Sequence, residues 1–137
     1  MVVQKNQYRT VLCAEDDEDD KELFCETASK IDPTVKIIHA DNGMILLQKL
    51  QQLTSKGITP CLITLDMNMP VMGGKEALIE LRKNEAWRLI PVVIYTTAKS
   101  ETFKQLELEY NAKAIIKPST MDGIIEKVTE VLSYCKS

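Results

Sequence analysis

The chain has 137 residues, of which 45% are hydrophobic and 27% charged, with a formal net charge of −3. That length suits one domain around a single core, and the mild acidity argues against a general affinity for nucleic acid or for an anionic membrane surface. No apolar run approaches the ~20 residues that span a bilayer, and the start, MVVQKNQYRT, lacks the apolar stretch of a signal peptide, so the expected location is cytoplasmic.

The first strand is predicted over residues 10–14 (TVLCA), and a helix follows it. In that helix Leu23, Phe24, Thr27, Ala28 and Ile31 recur at helical spacing, Asp17 is placed to cap the start, Asp19 and Asp20 face the positive end of the dipole, and Pro33 closes the segment. A second strand is expected at 35–39 and a second helix at 42–54, ended by Gly57. Strands at 62–65, 92–96 and 114–116 alternate with helices at 74–84, 100–110 and 121–135, the last carrying Ile124, Ile125, Val128, Val131 and Leu132 on one stripe. The strand runs are rich in Val and Ile with little polar alternation, as in a sheet buried on both faces. Five β-α units in succession imply an α/β fold with a parallel sheet and helices on both sides. The whole chain, 1–137, is expected to be one domain with its core at 8–135 and no output domain.

Polar groups stand where these strands end. Glu15 and Asp16 follow the first, Asp66 the third, Thr96 closes the fourth and Lys117 follows the fifth. In a parallel sheet such ends gather along one edge, where ligands bind. Several carboxylates in one pocket repel each other, and a hard divalent cation offsets that repulsion. Carboxylates with a main-chain carbonyl and retained waters suit Mg²⁺. The expected ligands are Asp16, Asp66 and the backbone carbonyl of Asn68, with Glu15 acting through water. In the loop after Asp66, Pro70 and the pair Gly73-Gly74 make a tight turn that brings the next helix close to the sheet.

The combination of an acidic pair after the first strand, DMNMPVMGG at the third, TTA at the fourth and KP after the fifth resembles the response-regulator receiver domains of the CheY-like family, over roughly residues 8 to 135. The resemblance implies a flavodoxin-like (βα)5 doubly wound sheet with strand order 2-1-3-4-5. It implies that Asp66 is the phosphoacceptor, that Glu15 and Asp16 hold Mg²⁺, that Thr96 is the switch hydroxyl and that Lys117 contacts the phosphoryl group, with a cis bond to Pro118. The implied function is two-component signalling: a histidine kinase or histidine phosphotransfer protein supplies the phosphoryl group, and the domain changes conformation to control partner docking. No enzymatic role, nucleic-acid contact or membrane contact is expected. Family members often dimerise or dock through the face made by the fourth helix, fifth strand and fifth helix.

Two other readings stand beside this one. A Mg²⁺-dependent phosphohydrolase with Asp66 as nucleophile would resemble the haloacid-dehalogenase-like phosphatases, but these need a second Asp two residues on, where this chain has Asn68. A degenerate receiver acting as a protein-interaction module would not need the full acidic, Thr and Lys set.

Several residues carry expectations of their own. Ala114 stands where many receivers have Tyr or Phe, and Tyr95 and Tyr110 are expected to serve packing. Strand alternation counted from Pro91 favours Thr96 over Thr97 for the switch role. His39 is expected to pack at a strand end, and Trp87 to anchor the loop before the fourth strand. Of Phe103, Leu106, Tyr110 and Ile115, half are expected in the core and the rest on a partner-facing surface. The four cysteines, Cys13, Cys25, Cys61 and Cys135, match no metal-binding spacing and are expected to be reduced, buried or half-buried side chains.

Overall fold

The strand segments are short runs of β-branched and other apolar residues, which fit a pleated surface covered on both sides. In the computed structural model, which describes residues 9–135, they form β1 (Arg9–Ala14), β2 (Val35–Ala40), β3 (Leu62–Leu65), β4 (Val92–Thr96) and β5 (Lys113–Ile116). Between and after them lie α1 (Glu18–Ile31), α2 (Gly43–Ser55), α3 (Gly74–Lys83), α4 (Phe103–Tyr110) and α5 (Met121–Leu132). Residue 8, the expected start of the core, lies outside the described residues. The five strands pair in parallel in the order β2-β1-β3-β4-β5. This is the flavodoxin-like order expected from the sequence.

The period-two alternation of the strands divides the core in two. Leu12, Ile63, Leu65, Val92 and Ile94 face α2, α3 and α4, packing with Leu46, Leu50, Leu78, Leu81, Phe103 and Leu106. Val11, Leu62, Val93, Tyr95 and Ile115 face α1 and α5, packing with Phe24, Ala28, Val128 and Val131. Burying a Leu or Val of this kind stabilises the fold by about 1.5–3 kcal/mol per side chain.

Side-chain caps fix where three of the helices begin. Asp17 accepts from the Asp20 N–H at 2.9 Å, Asn42 from Ile45 at 2.9 Å and Thr120 from Gly123 at 3.1 Å, each satisfying a donor that the first turn leaves free. Gly74 lets α3 start directly against the end of β3, since a Cβ there would lie 2.3 Å from the Asp66 carbonyl oxygen. α4 begins at Phe103 rather than at 100. Ser100 explains the delay, because its hydroxyl oxygen accepts from the Thr102 N–H at 3.1 Å and ties residues 100–102 into a turn.

Three expectations are corrected by the structure. Cys61 and Cys135 are joined in a disulfide, with Cα atoms 4.8 Å apart, so they are not reduced single thiols. The start of β3 and the end of α5 meet at one edge of the sheet, a meeting that a separation of 74 residues conceals. Cys13 and Cys25 are free. The bond between Lys117 and Pro118 is trans, as are all others among the described residues; trans is the intrinsic preference of X–Pro, and Lys117 reaches the site without the cis form. Finally, Phe103, Leu106 and Ile115 are all buried, and it is Leu108, Met121 and Ile125 that stay exposed on α4 and α5.

Candidate functional site

Each expected site residue stands at or just beyond the C-terminal end of a strand, and the parallel register aligns those ends. Ala14 pairs with Leu65, and Thr96 with Ile116. Glu15, Asp66, Thr96 and Lys117 therefore converge from four adjacent strands. The Glu15 N–H donates to the Ala40 carbonyl and the Asp66 N–H to that of Ala14, so the sheet continues as far as the site.

The Asp66 carboxylate is at the centre. Its Oδ1 accepts from the Thr96 hydroxyl at 2.6 Å, and its Oδ2 lies 3.3 Å from Lys117 Nζ. Thr96 is fully buried and Asp66 nearly so, whereas Thr97 is exposed, which assigns the contact to the first threonine of the pair. Lys117 also donates to Glu15 Oε2 at 2.5 Å and to Asp20 Oδ2 at 3.0 Å, and its ammonium lies 5.7 Å from the centre of the Tyr95 ring. Glu15, Asp16 and Asp66 each offer a carboxylate oxygen to one cluster, all within 4.8 Å of one another. Glu15 is buried, Asp66 nearly so, and Asp16 is exposed. Asn68 lines the same open depression as Asp16, together with Met67, Pro70 and Glu76.

The charges are unequally matched. Burial, and after it a hydrogen bond with Asp66, raise the Glu15 carboxyl, Lys117 and the Asp17 N–H oppose them, and the balance lies at about 7. Burial would also raise Asp66, but hydrogen bonds from Glu15 and Thr96, aided by the Lys117 charge, hold it below the usual range. Desolvation works against the charge on Lys117, yet the bond to Glu15 and the negative charge of Asp66 more than offset it and raise its pKa. Asp66 is thus the ionised member of the pair and Glu15 the reservoir of the proton. One ammonium answering several carboxylates leaves a cluster whose donors, hard oxygens of mixed exposure, suit a divalent cation.

Asp20 is the residue missed by sequence reasoning. Read as a first-turn acid facing the helix dipole, it also turns inward to Lys117. It lies three residues past the cap, the only local signal, and its neighbour Asp19 shows no such contact. Tyr95 and Ala114 lie on opposite faces of the sheet. Tyr95 packs against Phe24 with ring centres 5.9 Å apart, on the side of α1 and α5, while Ala114 and Tyr110 pack on the side of α4. Tyr95 therefore does not fill the space left at Ala114. Trp87 is buried in the core, as expected of an anchor, with its indole N–H unpartnered; the half-buried His39 in β2 likewise leaves Nδ1 unpartnered. No helix among the described residues is long and apolar enough to cross a membrane.

Known proteins share this fold. The chain is 31% identical over 135 residues to response regulator Rcp1 of Synechocystis sp., a match covering 96% of this chain and 91% of that protein. The crystal structure of the Mn²⁺-bound form of Rcp1 superposes with a TM-score of 0.81 at 26% identity, covering 94% of this chain and 96% of the other. The phosphorylated cyanobacterial phytochrome response regulator RcpA has the same fold, with a TM-score of 0.83 at 22% identity and coverage of 93% and 94%. The family model of the response regulator receiver domain matches residues 11–129. With that match spanning most of the chain, and with the strand order of such a domain, the chain belongs to the response regulator receiver domain family.

Proposed function

We propose that this domain, with its core at residues 8–135, is a phosphoacceptor switch in which Asp66 takes a phosphoryl group from a histidine kinase or a histidine phosphotransfer protein. The observation that carries this reading is the placement of one ionised carboxylate between a hydroxyl at 2.6 Å and an ammonium at 3.3 Å, beside two further acids. Phosphoryl transfer asks for positioning and for neutralisation of charge, and little else from the protein. The donor's P–N bond breaks as the P–O bond to Asp66 forms, and the histidine, protonated on its other ring nitrogen, leaves as the neutral imidazole. Lys117 is placed to meet the incoming negative charge. The product is an acyl phosphate, hydrolytically labile, which suits a signal that must be reset.

Glu15, Asp16 and Asp66 with the backbone carbonyl of Asn68 would hold Mg²⁺, and the Mn²⁺ bound by the related Rcp1 supports a divalent cation here. When bound, that ion supplies positive charge between two anions. The residues of the chain do the rest. Lys117 must exchange part of its contact with Glu15 and Asp20 for the phosphoryl oxygens. Thr96, hydrogen-bonded to Asp66 in the structure, would redirect that hydrogen bond to a phosphoryl oxygen. That change draws on the loop following β4, because the Ala98 N–H donates to Thr96 Oγ1 at 3.2 Å. The domain is then biased toward a second pre-existing arrangement. Exposed Leu108 on α4 and Met121 and Ile125 on α5 are apolar contacts for a downstream protein or a second copy.

Incubation with Mg²⁺ and acetyl phosphate tests this reading. The expected result is one labile phosphoryl adduct by intact mass, with a change in Trp87 fluorescence, both lost in Asp66→Asn. Steady turnover without an adduct would instead favour a phosphohydrolase, and no response at all a receiver that works only by binding.

A further inference from the structure

The edge of the sheet opposite the phosphoacceptor holds the disulfide. Cys61 sits just before β3, its N–H donating to the Thr10 carbonyl at 2.9 Å, and its side chain is buried. Cys135 lies just past α5 in a last turn where its N–H donates to the Leu132 carbonyl at 3.0 Å, and it is half-buried. The bridge closes a ring through the molecule. β3 leads from Cys61 toward Asp66, Asp66 meets Lys117 at 3.3 Å, and the chain returns through α5 toward Cys135. α5 is therefore held at one end by an ion pair and at the other by a covalent bond. Tyr134, beside Cys135, forms one wall of an open groove with Leu89, Pro91 and Lys113 at the starts of β4 and β5. Freeing Cys135 would release that wall.

We propose that Cys61 and Cys135 form a reversible thiol–disulfide staple that fixes the C-terminal end of α5 to the sheet, set by a low-molecular-weight disulfide and released by the corresponding thiol. Two thiols lose two protons and two electrons as the S–S bond forms, and the acceptor is a disulfide such as oxidised glutathione, reduced to two thiols. Cys135, the more exposed of the pair, is placed to form the mixed disulfide; Cys61 then attacks its sulfur and expels the second glutathione as thiolate. Bridging residues 74 apart removes much of the loop-closure entropy of the unfolded chain. The oxidised domain is thus the more stable, and the reduced one is freer at α5. The device does not depend on phosphoryl transfer.

The full chain, equilibrated in graded ratios of reduced to oxidised glutathione, is denatured and alkylated with N-ethylmaleimide, and its intact mass is read. Supporting results are two adducts per chain in oxidising buffer, for Cys13 and Cys25 alone, and four in reducing buffer, with an inflection between. Oxidation should raise Tm by on the order of 10 °C, a shift absent in Cys135→Ser. Four adducts at every ratio would show that the thiols never pair, and two at the most reducing ratio would show a permanent bridge. Either result overturns the proposal, as does a redox-dependent Tm that survives in Cys135→Ser.

Discussion

Val71 holds a φ of 67° while 80% exposed. For a β-branched residue the left-handed region costs about 1–2 kcal/mol, and so exposed a side chain has little packing to offset it. The neighbours impose the conformation. Met72 donates to the Pro70 carbonyl at 2.7 Å, and its own carbonyl accepts from Gly43 at 2.8 Å, tying the loop after Asp66 to the start of α2. The strain lies in the loop that lines the depression beside Asp16 and Asn68. Val71→Asn, whose short polar side chain tolerates this region, should stabilise the domain by about 1 kcal/mol, seen as a higher urea midpoint with an unchanged slope. A lower midpoint would mean that the valine side chain contributes contacts that outweigh its backbone.

Among the elements, α3 is fastened by a single arginine. Arg82 Nε donates to the Tyr110 carbonyl at 2.6 Å, and its terminal nitrogens donate to Arg88 at 2.9 Å, Ile90 at 2.8 Å and Asn111 at 2.9 Å. These carbonyls belong to the end of α4 with its cap residue and to the loop before β4, so the guanidinium ties α3 to two separate segments. Arg82→Ala leaves the acceptors unpaired and should cost about 3 kcal/mol. Arg82→Lys should recover little of it, since one ammonium cannot span a planar fork of acceptors; a lysine variant as stable as the parent would reduce the clamp to a charge effect. Nothing in the run ELRKNEAW marks Arg82 apart from Lys83. The strands, by contrast, were legible, because continuous apolar runs leave few alternatives, and a parallel sheet then forces their ends together. That same logic placed Glu15, Asp66, Thr96 and Lys117 in one site. It failed where contacts depend on which helix face turns inward, as for Asp20, and where two ends meet across the whole chain, as for Cys61 and Cys135. The side of the sheet that Tyr95 takes followed from alternation, but its bearing on Ala114 became visible only once α1 and α4 had been assigned to opposite faces.

For the molecule as a whole, folding gathers Glu15, Asp20 and Asp66 about one ammonium, with Asp16 beside Glu15 and Asp66. Glu15 bears most of that conflict, with its carboxyl raised from about 4.5 to about 7. The folded domain therefore holds a proton there that the unfolded chain has released. The stability this proton contributes is present below about pH 4.5 and is lost as pH rises through about 7. A divalent cation bound by the acids acts in the opposite sense. Below about pH 7 it must displace the Glu15 proton, and above that value it meets a carboxylate already ionised. A cation that binds only the gathered cluster would show its affinity directly as fold stability. Mg²⁺ should therefore raise Tm by several degrees at about pH 8 and by distinctly less at about pH 6, the difference disappearing in Glu15→Gln, which cannot ionise. Differential scanning fluorimetry with and without Mg²⁺ at the two pH values reads all four states. An equal rise at both, or a larger one in acid, would mean that Glu15 takes no part in holding the ion and that the cluster's proton lies elsewhere.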